Sequence, residues 1–93
     1  MTRVSLRGEL ICRDDADVAI VCEHLPLHLT LTRAEPGCIR FDVDHTKNPL
    51  IWRVEEEFAD EVSFAEHQAR TASSEWGTAT AGMERAYHVS VEK

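Results

Sequence analysis

The sequence predicts an α+β fold: a four-stranded antiparallel sheet with helices on one face, in the order β-α-β-β-α-β. Four segments alternate apolar and polar residues with period two, and two segments between them space apolar residues by three and four. The two middle strands are joined by a turn short enough to make them an antiparallel hairpin. This order is the split βαβ arrangement of the ferredoxin-like fold, in which the first and third strands are antiparallel neighbours.

Residues 3 to 13 form the first predicted strand, with Val4, Leu6, Gly8, Leu10 and Cys12 on one face and Arg3, Ser5, Arg7, Glu9 and Arg13 on the other. Asp14 or Asp15 is placed to cap the helix that follows. That helix is expected over residues 16 to 33, because Val18, Val21, Cys22, Leu25, Leu29 and Thr32 keep the spacing of a buried stripe. Pro26 removes a backbone donor inside it, so a kink or two helical pieces are expected there. His28 lies beside the stripe, next to Leu25 and Leu29, and reads as a histidine with a polar contact at a packing edge.

Glu35-Pro36-Gly37 stops the helix, since the residue before proline avoids helical angles and glycine accepts turn geometry. Residues 38 to 45 form the second strand, with Ile39, Phe41 and Val43 facing one way and Arg40, Asp42 and Asp44 the other. Lys47-Asn48-Pro49 turns the chain into the third strand, residues 50 to 58. Asp60 caps a second helix on which Phe64 and His67 share a face, with Val62, Ala65 and Ala69 on a neighbouring one. The helical pattern weakens at residues 71 to 74, and a short further helix is expected from Glu75 to Met83. Residues 85 to 91 form the last strand, with Tyr87, Val89 and Val91 on one side.

Ninety-three residues suit one domain spanning 1–93, close to the lower size for a self-sufficient core, which favours pairing with a second copy. Hydrophobic content of 43% with 29% charged residues excludes a disordered chain. A formal charge of −7 argues against nucleic acid and anionic membrane surfaces as partners. No apolar run is long enough to span a bilayer, and Met1-Thr2-Arg3-Val4 enters the alternating pattern without a signal-peptide core, so a cytoplasmic protein is expected. Cys12, Cys22 and Cys38 are widely spaced among apolar residues and read as reduced and structural. His45 and His88 fall on different strands without ligand spacing, and no metal site is expected.

The third strand holds the chemistry. Period-two alternation puts Leu50, Trp52, Val54, Glu56 and Phe58 on one face, so a single carboxylate shares that face with four apolar side chains. Such a group must find a partner, accept hydrogen bonds or hold its proton at a raised pKa. Eleven residues later comes His67. The flanking Glu55 and Glu57 point the other way, where Arg3, Arg7 and Arg13 of the first strand are expected to pair with them.

Thr32-Arg33-Ala34-Glu35-Pro36-Gly37-Cys38-Ile39, together with Glu56-Glu57-Phe58 and His67, resembles the antibiotic biosynthesis monooxygenase (ABM) domain family, which includes small quinol monooxygenases. The resemblance implies a ferredoxin-like homodimer, a dimeric α+β barrel, with a pocket between the sheet and its helices. Some members add molecular oxygen to an electron-rich phenol or quinol with no metal or flavin cofactor. On that reading His67 is the base or anion partner and Glu56 orients it or shares its proton. Trp52, Phe41 and Trp76 supply ring-binding walls, Tyr87 a hydrogen-bond donor, and His28 joins them as a substrate contact. Members that degrade haem use an Asn on the first strand and a Trp on the third. This first strand has no Asn and Glu57 stands at the matching third-strand position, so haem degradation is not implied. Ala72 stands near the place of a second His found in several quinol-oxidising relatives. The charged outer sheet face implies a wet or charge-paired dimer interface, built on Arg3, Arg7, Arg40 and Arg53.

The leading expectation is therefore a cofactor-independent monooxygenase acting on a small aromatic or quinol. A non-catalytic dimeric module that binds a small molecule or serves a stress response is an alternative, as is an isomerase using Glu56 and His67 as an acid-base pair. A large apolar pocket open to solvent would favour the first, a filled core the second, and a small polar cavity lined by Arg the third.

Overall fold

The computed structural model describes residues 2–92; Met1, read above as the start of the alternating pattern, and Lys93 lie outside them. The elements are β1 (Arg3–Ile11), α1 (Asp15–Arg33), β2 (Cys38–His45), β3 (Ile51–Phe58), α2 (Glu61–Ser73), α3 (Glu75–Ala79) and β4 (Glu84–Glu92). The strands form one antiparallel sheet in the order β2-β3-β1-β4, as the ferredoxin-like reading requires. The inner face, under the helices, buries Val4, Leu6 and Leu10 of β1 against Phe41, Val43, Trp52, Val54 and Phe58.

Asp14 caps α1 by accepting from the Asp17 amide at 3.0 Å, and Asp60 caps α2 by accepting from the Ser63 amide at 2.7 Å. α1 is one helix of 19 residues with Pro26 inside it, not two pieces. Its buried positions are Asp17, Val21, Leu25, His28 and Thr32. The inward stripe is thus rotated from the expected one: His28 lies on it, Leu29 is half-buried and Cys22 is exposed. Rotation follows from what the helix covers, a sheet whose cavity accepts an imidazole.

Two strand readings are corrected. A bulge between Cys38 and Arg40 shifts the register of β2 against β3, so Ile39 leaves the inner face and is 50% exposed. Arg13 lies past the end of β1 and turns to Asp17, donating from its amide (2.8 Å), Nε (2.8 Å) and Nη2 (3.0 Å). Arg3 pairs with Glu57 at 3.7 Å, as expected; Arg7 stands opposite Glu55 in the register, but Glu55 pairs with Arg40 and Arg53. On α2, Val62 is exposed and His67 is the buried residue. Gly37, at φ +86°, ends the connection from α1 in the left-handed geometry that glycine allows. The short helix α3 stops at Ala79, four residues before the expected end, and Met83 is buried beyond it.

Candidate functional site

Glu56 faces inward from β3, between Leu6 of β1 and Phe41 of β2 in the register, and is 7% exposed. Capping at Asp60 fixes the phase of α2 so that Phe64, His67 and Thr71 follow one another at intervals of three and four on one face. His67, 1% exposed, comes to rest against Phe58, with ring centroids 4.8 Å apart. Its Nε2 stands 3.6 Å from Glu56 Oε1 and 3.4 Å from the Thr71 hydroxyl. At 3.6 Å there is no hydrogen bond, and Glu56 Oε1 has no partner in the structure.

The other imidazole nitrogen is anchored. His67 Nδ1 lies 3.0 Å from Glu35 Oε1, and the same oxygen accepts from Arg70 Nε at 2.8 Å and from Arg70 Nη2 at 2.6 Å. Arg70 Nη2 also donates to Thr32 Oγ1 at 2.9 Å, tying the ends of α1 and α2 together. Burial works against the Glu35 carboxylate, but bonds from His67 and Arg70 outweigh it and lower its pKa. An ionised Glu35 accepts a hydrogen bond from Nδ1–H, which leaves the lone pair of neutral His67 on Nε2, facing Glu56. Burial lowers the pKa of His67, with Glu35 opposing the shift. Burial, and secondarily the charge of Glu35, pushes Glu56 up to about 7. The pair is therefore a neutral base beside a carboxyl that holds its proton to near-neutral pH.

Glu56 and His67 line a cavity of about 160 Å³ between sheet and helices. Phe41, Trp76, Tyr87 and His28 also line it, so six of the seven residues read as site residues from sequence converge there. Trp52 does not. It shares the inward parity of Glu56 but lies four residues away, roughly 13 Å along a strand, and is packed in the core with its ring 4.1 Å from that of His45. His28 is stacked flat on Trp76, centroids 4.6 Å apart and planes 4° from parallel, and stands edge-on to Phe41. Burial pushes His28 down to about 4, with the nearby His67 adding to the shift, so it is neutral at ordinary pH. Its Nδ1 is buried without a partner. Tyr87 is pushed up to about 12 by burial. Across the His28–Trp76 stack lies an open groove of about 350 Å³, floored by Leu27 and Leu31 of α1.

Glu35, Arg70, Thr71 and Arg85 were not singled out from sequence. Glu35 reads from sequence as part of a helix stop and of the family-like stretch, with no role in the site, yet a carboxylate beside the negative end of a helix dipole calls for a cation, and Arg70, three residues past His67, is on the right face to supply it. Arg85 lines the cavity from β4, its Nη1 and Nη2 bonded to the Thr80 carbonyl and hydroxyl and the Met83 carbonyl. Among the described residues, no group of three or more His, Cys, Asp or Glu side chains is arranged to hold a metal ion, and no helix is long and apolar enough to cross a membrane.

An antiparallel sheet of this order, roofed on one face by helices over a His-carboxyl cavity, defines a ferredoxin-like α+β protein. The sequence pattern of the antibiotic biosynthesis monooxygenase family matches residues 14–79, and the chain belongs to that family. Among solved structures, it is similar to Rv0793 from Mycobacterium tuberculosis, with TM-score 0.71 and 20% identity over 98% of this chain and 93% of that one. It is also similar to SnoaB, a cofactor-independent oxygenase from Streptomyces nogalater, with TM-score 0.72 and 12% identity over 100% and 93% of the two chains. PA3566 from Pseudomonas aeruginosa gives TM-score 0.72 and 14% identity over 99% and 93%. At these identities the likeness is one of fold. No curated protein matches the chain by sequence.

Proposed function

We propose that the chain is a cofactor-independent monooxygenase that oxidises a small aromatic or quinol-like molecule with O2. The observation that carries this reading is the orientation of His67: Glu35 occupies Nδ1, so a basic Nε2 faces an aromatic-walled cavity next to a carboxyl that has lost its hydration. Family membership and the resemblance in fold to the oxygenase SnoaB support it. A cavity near 160 Å³ suits one ring, since an apolar cavity of about 150 Å³ takes benzene and drug-sized ligands need about 300 Å³ or more. The substrate is therefore monocyclic.

In the proposed reaction His67 Nε2 removes a phenolic proton, and the charge of Arg85 in the cavity wall favours the phenolate. The electron-rich ring passes electrons to O2, a ring carbon forms the C–O bond, and the O–O bond then breaks. One oxygen atom stays on the ring and the other leaves as water. For a quinol the balance is quinol plus O2 giving hydroxyquinone plus water, with O2 the sole oxidant. Glu35 and Arg70 are positioning residues that hold the imidazole tautomer. The chain is read as one domain acting in the cytoplasm as a homodimer; Arg3, Arg40 and Arg53 of the outer face, expected to pair across the interface, pair with Glu57, Asp42 and Glu55 of their own chain, so the second copy is placed instead on the inner face of β4, where Val89 and Val91 are 45% and 44% exposed.

Oxygen uptake by the metal-free protein with a panel of hydroquinones and phenols tests the reading. His67→Ala is expected to lower uptake by about 10²- to 10⁴-fold, the usual contribution of a positioned general base. Uptake unchanged by that substitution would remove His67 from the mechanism, and no uptake with any substrate would sink the oxygenase. A second reading meets the criterion drawn from the sequence: the His67 cavity is small and carries Arg85, Glu56, His67 and Gln68, the polar lining expected of an acid-base isomerase, where the oxygenase called for a large apolar pocket open to solvent. Proton exchange into a small carbonyl compound, without oxygen uptake, would establish that reading instead.

A further inference from the structure

His28 and Trp76 each line two hollows: the cavity of about 160 Å³ that holds Glu56 and His67, and the groove of about 350 Å³ over Leu27 and Leu31. Both side chains are buried, and their rings lie flat against each other. A buried ring stack with space on either side is a wall. The cavity's solvent side lies elsewhere, because Gln68 of α2 and Arg85 of β4 line it and are exposed, with Thr71 and Tyr87 half-buried beside them. β4 is one edge of the sheet, and α1 packs on β2 at the other. A molecule that enters between α2 and β4 therefore meets His28 at the far end. We infer that His28 determines the size of the molecule this cavity accepts: its imidazole closes the inner end beyond one ring, and a smaller side chain there would join cavity and groove into a single cleft. That the cavity is a reacting one rests on the oxygenase reading above; the wall rests on the geometry alone.

The wall is fixed on both sides. His28 stands inside a helix of 19 residues, and Phe41 of β2 is set edge-on to its ring, centroids 5.2 Å apart. Trp76 belongs to the short α3, but that helix is pressed onto the end of α2. A Cβ at Gly77 would collide with the Thr71 carbonyl, Ser74 Oγ accepts from the Gly77 amide at 3.0 Å, and the Trp76 carbonyl accepts from the buried Thr80 hydroxyl at 2.7 Å. His28 Nδ1 has no partner, so the imidazole serves the wall by its shape and not by a bond from that nitrogen. Closed, the cavity has room for one ring. Joined to the groove, it enters the range of about 300–1,000 Å³ that takes larger ligands.

Binding, measured by calorimetry without oxygen, tests the wall apart from turnover, with phenol as the one-ring probe and 4-phenylphenol as the two-ring probe. The native protein is expected to prefer phenol. His28→Ala is expected to raise the affinity for 4-phenylphenol relative to phenol by at least about tenfold, the effect of burying one more ring. Adding Leu31→Trp, which fills the groove behind the wall, is expected to cancel that gain. His28→Phe keeps a flat ring against Trp76 and is expected to keep the native preference, which separates the shape of the side chain from its nitrogens. Trp76→Leu thins the same wall from α3, is expected to shift the preference in the same direction, and serves if His28→Ala does not fold. Native protein that binds 4-phenylphenol as tightly as phenol, an unchanged ratio in His28→Ala, a gain that survives Leu31→Trp, or no saturable binding by any probe would each overturn the inference. The expected shift with no oxygen uptake would uphold the wall and sink the oxygenase, and uptake with an unchanged ratio would do the reverse.

Discussion

Glu55, Glu56 and Glu57 are three identical side chains in a row on β3, and the pleat sends them to opposite worlds. On the outer face Glu55 meets Arg40 at 3.2 Å and Arg53 at 3.7 Å, while Glu57 meets Arg3 at 3.7 Å, all partly exposed. On the inner face no cationic side chain among the described residues pairs with Glu56, whose neighbour is the neutral His67 ring at 3.6 Å, and it holds its proton to about 7. Water supplies the outer pair with most of its hydration, so little depends on the partners. The inner carboxyl has only the protein, so every neighbour matters.

If that contrast is right, the largest effect lies in the apolar wall behind His67. Phe58 is fully buried, packed at 4.8 Å on the His67 ring and at 5.8 Å on Phe64. Phe58→Ala is expected to destabilise the fold by about 3–5 kcal/mol. Ile39→Ala, at the bulge on β2, is expected to cost about 0.5 kcal/mol or less despite the residue's size, because the bulge has moved it to the surface. Urea denaturation of both variants measures this, and equal losses would break the distinction between the faces.

Next in size is a pH effect with two opposing limbs. Between about 4.5 and about 7 the unfolded chain gives up the Glu56 proton while the folded chain keeps it, so stability falls as pH rises through that window, by about 3 kcal/mol in all. His28 acts in the other direction. Between about 6.5 and about 4 the unfolded chain takes a proton that the buried imidazole refuses, so stability falls as pH falls, again by about 3 kcal/mol. Each substitution should unmask the other group: Glu56→Gln leaves the acid-side loss and His28→Phe the alkaline-side loss, read as urea midpoints from pH 4 to 7.5. A Glu56→Gln profile parallel to the native one would show that Glu56 is not the group responsible.

Much of this was legible in the chain because strands announce their faces. Alternation alone placed Glu56 under the helices and Glu55 and Glu57 outside, and helix spacing put Phe64 with His67. What alternation cannot give is distance along the strand, which is why Trp52, with the right parity, was read into a cavity it does not reach. A bulge is similarly silent, because one extra residue at Ile39 leaves the local composition unchanged. The support of His67 is hidden for a different reason: Glu35 and Arg70 are 35 residues apart and meet only when the turn that follows α1 folds against α2. His28 was mispositioned because Leu29 is the more apolar neighbour, and hydrophobicity is a poor guide where the surface to be covered is itself partly polar.

The smallest effect is expected on the outer face. Arg40 lies on that face with its Nε 2.7 Å from Asp42 and its Nη1 3.2 Å from Glu55, at 47% side-chain exposure. Exposed pairs of this kind are worth about 0–1 kcal/mol and are screened within about 10 Å at 0.1 M salt. Arg40→Ala is expected to lower stability by less than any of the changes above, and the difference from the native protein should shrink further at 1 M sodium chloride. Glu56→Gln should differ from the native protein by nearly the same amount at both salt concentrations, because its environment excludes the ions that would screen it. Comparing the two variants at two salt concentrations therefore tests the division of β3 directly: a salt response at Glu56 as large as that at Arg40 would mean that solvent reaches the inner carboxyl, and a raised proton affinity there would have no physical cause.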